Sequence, residues 1–306
     1  MIPFINAPGQ VFLANLTQIE NSNERIQEEI SSGLQINQAS DAPDQITQLL
    51  QLQSQLAGNN QVQTNLNNVQ AGALAADSSL TSVLQLTNQA ASLGAEGADS
   101  TTTAQTRQQL AQQVQNIFDQ VVSTSQTEVG GRYIFSGDDD QSPQYQVDPS
   151  SGNGVDQLTT ALNTSQAQDT NGDTFPVGLT AAQIFDPRNP DNSYAPGNMF
   201  AALTSLYQSL NTDNSAGITS AIASLQTASA YVNTQQGFYG ALENRVTNSL
   251  NTAATQNTSL TSQISAIEDT NFAEAATQLT EGQTALQAAL QAQGKVPTTS
   301  LFDFLG

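Results

Sequence analysis

The stretch VFLANLTQIENSNERIQEEI, residues 11–30, decides how the rest of the chain is read. Phe12, Leu16, Ile19, Asn23, Ile26 and Ile30 follow one another in steps of 4, 3, 4, 3 and 4. That is a heptad seam along one face of a helix, interrupted by a single polar residue. Asn23 either fixes the register of the seam or faces solvent where the seam is irregular; the spacing leaves both readings open. Ser31-Ser32-Gly33 closes the stripe, because glycine suits a left-handed C-terminal cap. A helix with one narrow apolar seam is not stable alone in water and must bury that seam against something.

Outward from this stretch the pattern repeats. Asp41-Ala42-Pro43-Asp44 reads as a helix start, with Asp41 as N-cap and Pro43 in the first turn. Leu49, Leu52 and Leu56 open a stripe that continues as Val62, Leu66, Val69, Ala73, Ala76, Leu80 and Val83. The expected helix, from Ile46 to about Ala91, is roughly 70 Å long at ~1.5 Å per residue, a rod rather than a globule. Gly94 and Gly97 are expected to break it, and Thr102 or Thr103 to cap the next helix, whose stripe is Leu110, Val114, Ile117 and Val121. Gly130-Gly131 is expected to end that helix.

The far end mirrors the near one. Val246, Leu250, Ala253, Asn257, Leu260, Ile264 and Ile267 form a stripe, and after Glu268-Asp269-Thr270-Asn271 it resumes with Phe272, Ala276, Leu279, Leu286 and Leu290, up to Gly294. The middle, residues 131–196, is rich in Gly, Pro, Asp, Asn and Ser. It carries short β-favouring runs at Tyr133-Ile134-Phe135, Tyr145-Gln146-Val147 and Phe175-Pro176-Val177. The fold class is therefore mainly α: a long antiparallel helical rod or coiled coil built by the N- and C-terminal halves, with a small β-rich insert in the middle. Three regions are expected. They are a terminal coiled-coil domain (1–40 with 268–306), a central helical domain (41–130 with 197–267), and an outward-facing insert (131–196).

Composition excludes much chemistry. The chain of 306 residues has no Cys, His or Trp, so thiolate and histidine couples and the usual zinc sites are ruled out. Its net charge is −21 and its cations number six: Arg25, Arg107, Arg132, Arg188, Arg245 and Lys295. Six scattered cations make no basic patch for nucleic acid, and an anionic membrane surface repels such a chain. The first residues lack a positive n-region and an apolar h-region, so no cleaved signal peptide is expected. No membrane span is expected either.

Asp169, Asn171 and Asp173 occupy calcium-loop positions 1, 3 and 5. However, Gly172 falls at position 4 instead of 6, and Thr180 stands where the loop needs Glu, so a solvated turn is the reading. Asp138-Asp139-Asp140 reads as an exposed loop. No catalytic, metal or cofactor residues are assigned, and Tyr133, Phe135, Tyr145 and Phe175 are read as the core of the insert.

Four stretches carry a resemblance. Ser31-Ser-Gly-Leu-Gln-Ile-Asn-Gln-Ala-Ser-Asp-Ala-Pro43 resembles a stretch near the start of the bacterial flagellin family, and Ile267-Glu-Asp-Thr-Asn-Phe-Ala-Glu-Ala275 is similar to one near its end. Within that family, Gly130-Gly-Arg132-Tyr133-Ile-Phe135-Ser-Gly137 and the ending with Leu301, Phe302 and Phe304 resemble the branch that forms the hook–filament junction.

The resemblance implies a structural subunit of the flagellum, not an enzyme. It implies export in unfolded form by the flagellar type III apparatus and an extracellular location. The implied partners are further copies of the chain, the hook-side junction protein, flagellin and an export chaperone. The assembly surface is expected on the terminal helices, at Phe12, Leu16, Ile19, Ile26, Ile30, Phe272, Leu279, Leu286 and Leu290. A filament subunit (flagellin) is the alternative. A calcium-dependent secreted module or enzyme built on the insert is a third reading, from another class.

Overall fold

The computed structural model describes residues 7–161 and 163–294. Leu301, Phe302 and Phe304 of the C-terminal motif lie outside the described residues. In chain order the elements are α1 (Ala7–Ser32), α2 (Ile46–Ala98), α3 (Ala104–Ser125), β1 (Glu128–Val129), β2 (Arg132–Tyr133), β3 (Tyr145–Val147), β4 (Val155–Gln157), β5 (Gln166–Gln168), β6 (Thr174–Pro176), α4 (Ala181–Phe185), α5 (Met199–Asn211), α6 (Ser215–Glu268) and α7 (Phe272–Gly294). The chain is mainly helical, with small antiparallel sheets confined to the middle.

The contacts divide the chain into two units, where the sequence suggested three regions. The terminal unit is Met1–Gly58 with Gln256–Gly306, and the central unit is Asn59–Thr255. The insert is not separate from the central helices, because its Phe135, Tyr145, Val155 and Phe175 sit in one hydrophobic cluster with them.

In the terminal unit, α1 ends where the sequence indicates. Gly33 adopts φ +77° and its N–H reaches the Glu29 carbonyl at 2.9 Å, closing the last turn. Asp41 plays a different part from the one expected. Its Oδ2 accepts the backbone N–H groups of Asn37 (3.0 Å) and Gln38 (2.7 Å), so it braces the connection upstream instead of capping α2. The first turn of α2 forms through the Ile46 N–H on the Ala42 carbonyl.

In the central unit, α2 and α6 run antiparallel: Asn59 Nδ2 donates to the Ala253 carbonyl, and further along α2 Asp77 accepts from Gln236. Gly94 and Gly97 do not break α2, which continues to Ala98. A Cβ at Gly94 would stand 2.9 Å from Ile222 Cγ1 and 3.1 Å from Leu206 Cδ1, and one at Gly97 would overlap Leu210. These glycines let neighbouring helices approach closely, which offsets their unfavourable helix propensity. Thr103 caps α3 by accepting the Thr106 N–H.

Gly130-Gly131 likewise is not the helix end, since α3 stops at Ser125. The pair forms the turn of the β1–β2 hairpin, with φ +60° and +77°. Two successive positive φ values suit the tight turn that matches the twist of antiparallel strands.

β3 pairs with β4 and β5 with β6, each as an isolated antiparallel pair. Beneath them an aromatic cluster fills the core: Phe135 meets Phe185 at 5.7 Å and Tyr239 at 6.4 Å, and Phe200 meets Tyr145 at 5.3 Å and Phe118 at 6.1 Å. Asp186, at the end of α4, is buried beside this cluster. It accepts hydrogen bonds from Tyr145 Oη (3.0 Å), Asn153 Nδ2 (3.0 Å), Asn198 Nδ2 (2.5 Å) and the Arg188 guanidinium (3.0 Å). Burial, and secondarily the neighbouring Asp186 carboxylate, push the Tyr145 hydroxyl well above its ordinary pKa, so it stays a donor.

Candidate assembly surface

The terminal unit holds both stretches that resemble the flagellin family, and backbone hydrogen bonds join them. Leu34 and Asp269 form an isolated antiparallel bridge. The Gln35 N–H donates to the Glu268 carbonyl at 2.6 Å, and the Thr270 N–H to the Gly33 carbonyl at 2.9 Å. A two-sided strap therefore fixes the end of α1 to the start of α7. Asn271 starts α7, with its Oδ1 accepting the Glu274 N–H and its carbonyl the Ala275 N–H.

From this strap α1 and α7 run side by side in opposite directions. Gly33 lies against Phe272 at one end and Asn23 against Gly282 ten residues further along each helix. On α1 the buried and half-buried positions include Phe12, Leu16, Ile19, Asn23, Ile26 and Ile30, the stripe the spacing indicates. Asn23 is 6% exposed and lies against Gly282 of α7, so it does not face solvent. On α7 the inward positions are Ala275, Leu279, Gly282, Leu286 and Ala289, again stepping by 4 and 3.

The sequence reading found Leu279 and Leu286 but passed over the three small residues. Of the other residues assigned to the same seam, Leu290 stands off it at 53% exposed, and Phe272 lies against Gly33 yet stays 56% exposed. Large apolar side chains drew the reading, whereas helices in close contact place small residues between them. Val11 and Leu13 on α1 and Leu50 on α2 are also more than half exposed. The terminal unit thus has an inner seam, already filled, and a separate set of outward apolar side chains.

The remaining assigned residues are in the central unit. Arg132 projects outward and pairs with Asp140 at 2.9 Å. Tyr133 lies on β2, its N–H on the Asp140 carbonyl, and its hydroxyl is held above its ordinary pKa mainly by a hydrogen bond to Glu128. Phe135 is fully buried. Gly137 takes φ +59°, and a Cβ there would stand 2.6 Å from the Asn163 carbonyl oxygen. The Arg132–Gly137 segment is therefore a hairpin strand, a core plug and a tight left-handed turn, in that order.

Asp169 uses Oδ1 to accept the N–H groups of Asn171 and Asp173, making the β5–β6 turn. Among the described residues no group of three or more acidic, His or Cys side chains gathers, and no helix is long and apolar enough to cross a membrane.

Comparison with known proteins agrees with this layout. The bacterial flagellin N-terminal helical region matches residues 5–140, and the bacterial flagellin C-terminal helical region matches residues 222–305. No curated protein matches the chain by sequence.

Several solved structures share its fold. A Vibrio parahaemolyticus protein assigned to the flagellar hook-associated class aligns with TM-score 0.64 and 17% identity, over 74% of this chain and 99% of that one. Bacillus cereus FlgL aligns with TM-score 0.56 and 16% identity, over 70% and 99%. The flagellar junction protein FlgL of Legionella pneumophila aligns with TM-score 0.54 and 11% identity, over 66% and 99%. With both terminal regions of one family matched over most of its length, and joined in space by the strap, the chain belongs to the bacterial flagellin family.

Proposed function

We propose that this chain is an adaptor subunit at the junction between hook and filament of the bacterial flagellum. The observation that carries the reading is a shared fold. The chain has both flagellin terminal regions, and it aligns with nearly the whole length of proteins described as hook-associated or junction proteins. Its relatives are structural proteins, and its role is structural rather than enzymatic.

In this reading the inner seam, with Phe12, Leu16, Ile19, Ile26, Ile30, Leu279 and Leu286, holds α1 to α7. The outward Val11, Leu13, Phe272 and Leu290 serve neighbouring copies, the hook-side junction protein and flagellin. Each of these side chains is more than half exposed and so is free to contact a partner. The subunit leaves the cell unfolded by the flagellar type III route, with an export chaperone holding α7 until assembly, and works in the extracellular flagellum.

Immunogold electron microscopy of intact flagella, with antibody against this chain, tests the proposal. A single narrow band between hook and filament is the expected result. Label along the whole filament makes the chain a filament subunit, and label on neither removes the flagellar role.

A further inference from the structure

Each of the two terminal helices departs from its apolar pattern once, and the two departures face each other. On α1 the stripe Phe12, Leu16, Ile19, Ile26 and Ile30 is interrupted by Asn23. On α7 the stripe Ala275, Leu279, Leu286 and Ala289 is interrupted by Gly282. The Asn23 amide lies on the bare backbone of Gly282, and a Cβ added there would overlap Asn23 Oδ1. That oxygen accepts no hydrogen bond from any described residue, although Asn23 is 6% exposed.

We propose that Asn23 and Gly282 are a plug and socket that sets the stagger of α1 on α7. A buried amide oxygen without a partner disfavours folding on its own, so its presence needs a compensating advantage. The advantage is discrimination between registers. A seam of leucines and isoleucines alone is nearly indifferent to a slide of one heptad, because each apolar side chain meets another apolar side chain after the slide. Asn23 breaks that degeneracy.

Among the inward positions of α7, only residue 282 lacks a Cβ. A slide of seven residues in either direction would bring the amide against Ala275 or Ala289, each with a methyl group in the space the amide needs. The strap at Leu34–Asp269 fixes one end of the pair, and the socket fixes the stagger at Asn23, further along α1. The same count along both helices sets Ile19 opposite Leu286. This inference concerns pairing within one chain and stands whether or not the subunit sits at the junction.

Disulfide trapping in the full-length chain tests it. The protein has no cysteine, so an introduced pair is the only one that can form. Ile19→Cys is combined either with Leu286→Cys, the pair in register, or with Leu279→Cys, one heptad away, and cross-linking is followed under a mild oxidant. With Asn23 and Gly282 in place, the in-register pair should close about tenfold faster or more, the scale of forcing a side chain into filled space. Gly282→Ala should erase or reverse that ratio. Asn23→Ala with Gly282→Ala should raise it again, because the clash is gone.

A ratio unchanged by Gly282→Ala overturns the proposal. So does an equal loss with and without Asn23, which would make Gly282 important only for close helix approach. Failure of both pairs to close also overturns it, since the helices would then not pair within the chain.

Discussion

The terminal and central units bury their apolar residues in different ways. Among the described residues of the terminal unit, the buried side chains are Asn23, Ile26, Ile36, Leu49, Leu52 and Ala275, with no aromatic ring. The central unit buries Phe118, Phe135, Tyr145, Phe175, Phe185, Phe200 and Tyr239, together with leucines from α2, α3, α5 and α6. One region is a seam between helices, and the other a core enclosed on several sides.

A seam of this kind gives each residue few neighbours, so its stability is small and its specificity rests on single positions such as Asn23. A closed core gives each residue many neighbours, so it tolerates the irregular backbone of the insert above it. The central unit therefore carries most of the enclosed packing, and the terminal unit is held by a two-helix seam and its strap.

The largest effect that would break this contrast is in the core. Phe135→Ala should destabilise the central unit by about 3–5 kcal/mol, the usual loss for a fully buried ring. Thermal unfolding of the full chain should show it, with the near-ultraviolet aromatic signal lost at lower temperature. A shift no larger than that of a surface substitution would mean that the insert is not part of the core.

Asp186→Ala comes next. It leaves Tyr145, Asn153, Asn198 and Arg188 without their common acceptor, and removing one side of a buried charged network costs about 3 kcal/mol. Denaturant titration would measure it.

Leu286→Asp sharpens the contrast from the other side. It places a charge on the half-buried seam of α7, at a cost of roughly 2 kcal/mol or more. The central unit should melt as before while incorporation into flagella is lost. Normal incorporation would show that the seam is not needed for assembly.

A small gain is expected from Gly240→Ala. Gly240 sits inside α6 with open space around its missing Cβ, so alanine should stabilise the central unit by about 0.5–1 kcal/mol in thermal unfolding.

The smallest effect is with pH. Asp148 is held below the ordinary carboxylate value by the Ser150 hydroxyl and backbone N–H and by Ser151, and Asp191 similarly by Ser193. A depressed folded-state pKa gives stability that is present above the unfolded value of 3.8. It is lost as the pH falls through the folded-state value, so the insert loops should loosen only on strong acidification. Amide exchange of residues 148–154 and 189–194 would follow it.

Much of this layout is legible in the order of residues alone. The seam of α1, its glycine cap at Gly33, the Thr103 cap of α3 and the strand at Tyr145–Val147 all depend on interactions within a few residues, which periodicity and capping chemistry report directly. The capping box at Thr180 and Gln183, which starts α4, is equally local, although it lies inside a loop-like stretch. What local pattern could not give was the meaning of the glycines. Gly94 and Gly97 read as breaks, Gly130-Gly131 as a helix end, and Gly282 as nothing at all.

Each glycine has its role only because of a partner remote in sequence or of how the chain turns back: Ile222, Leu210, the β1–β2 register, Asn23. The same holds for α7, whose inward face follows its small residues and not its largest ones. The sequence by itself determined that the chain is helical at both ends and that those helices need partners. Spacing along one helix is fixed by its own 3.6-residue period. Tertiary structure alone decided which face meets which, because that depends on where a neighbouring helix leaves room for a side chain.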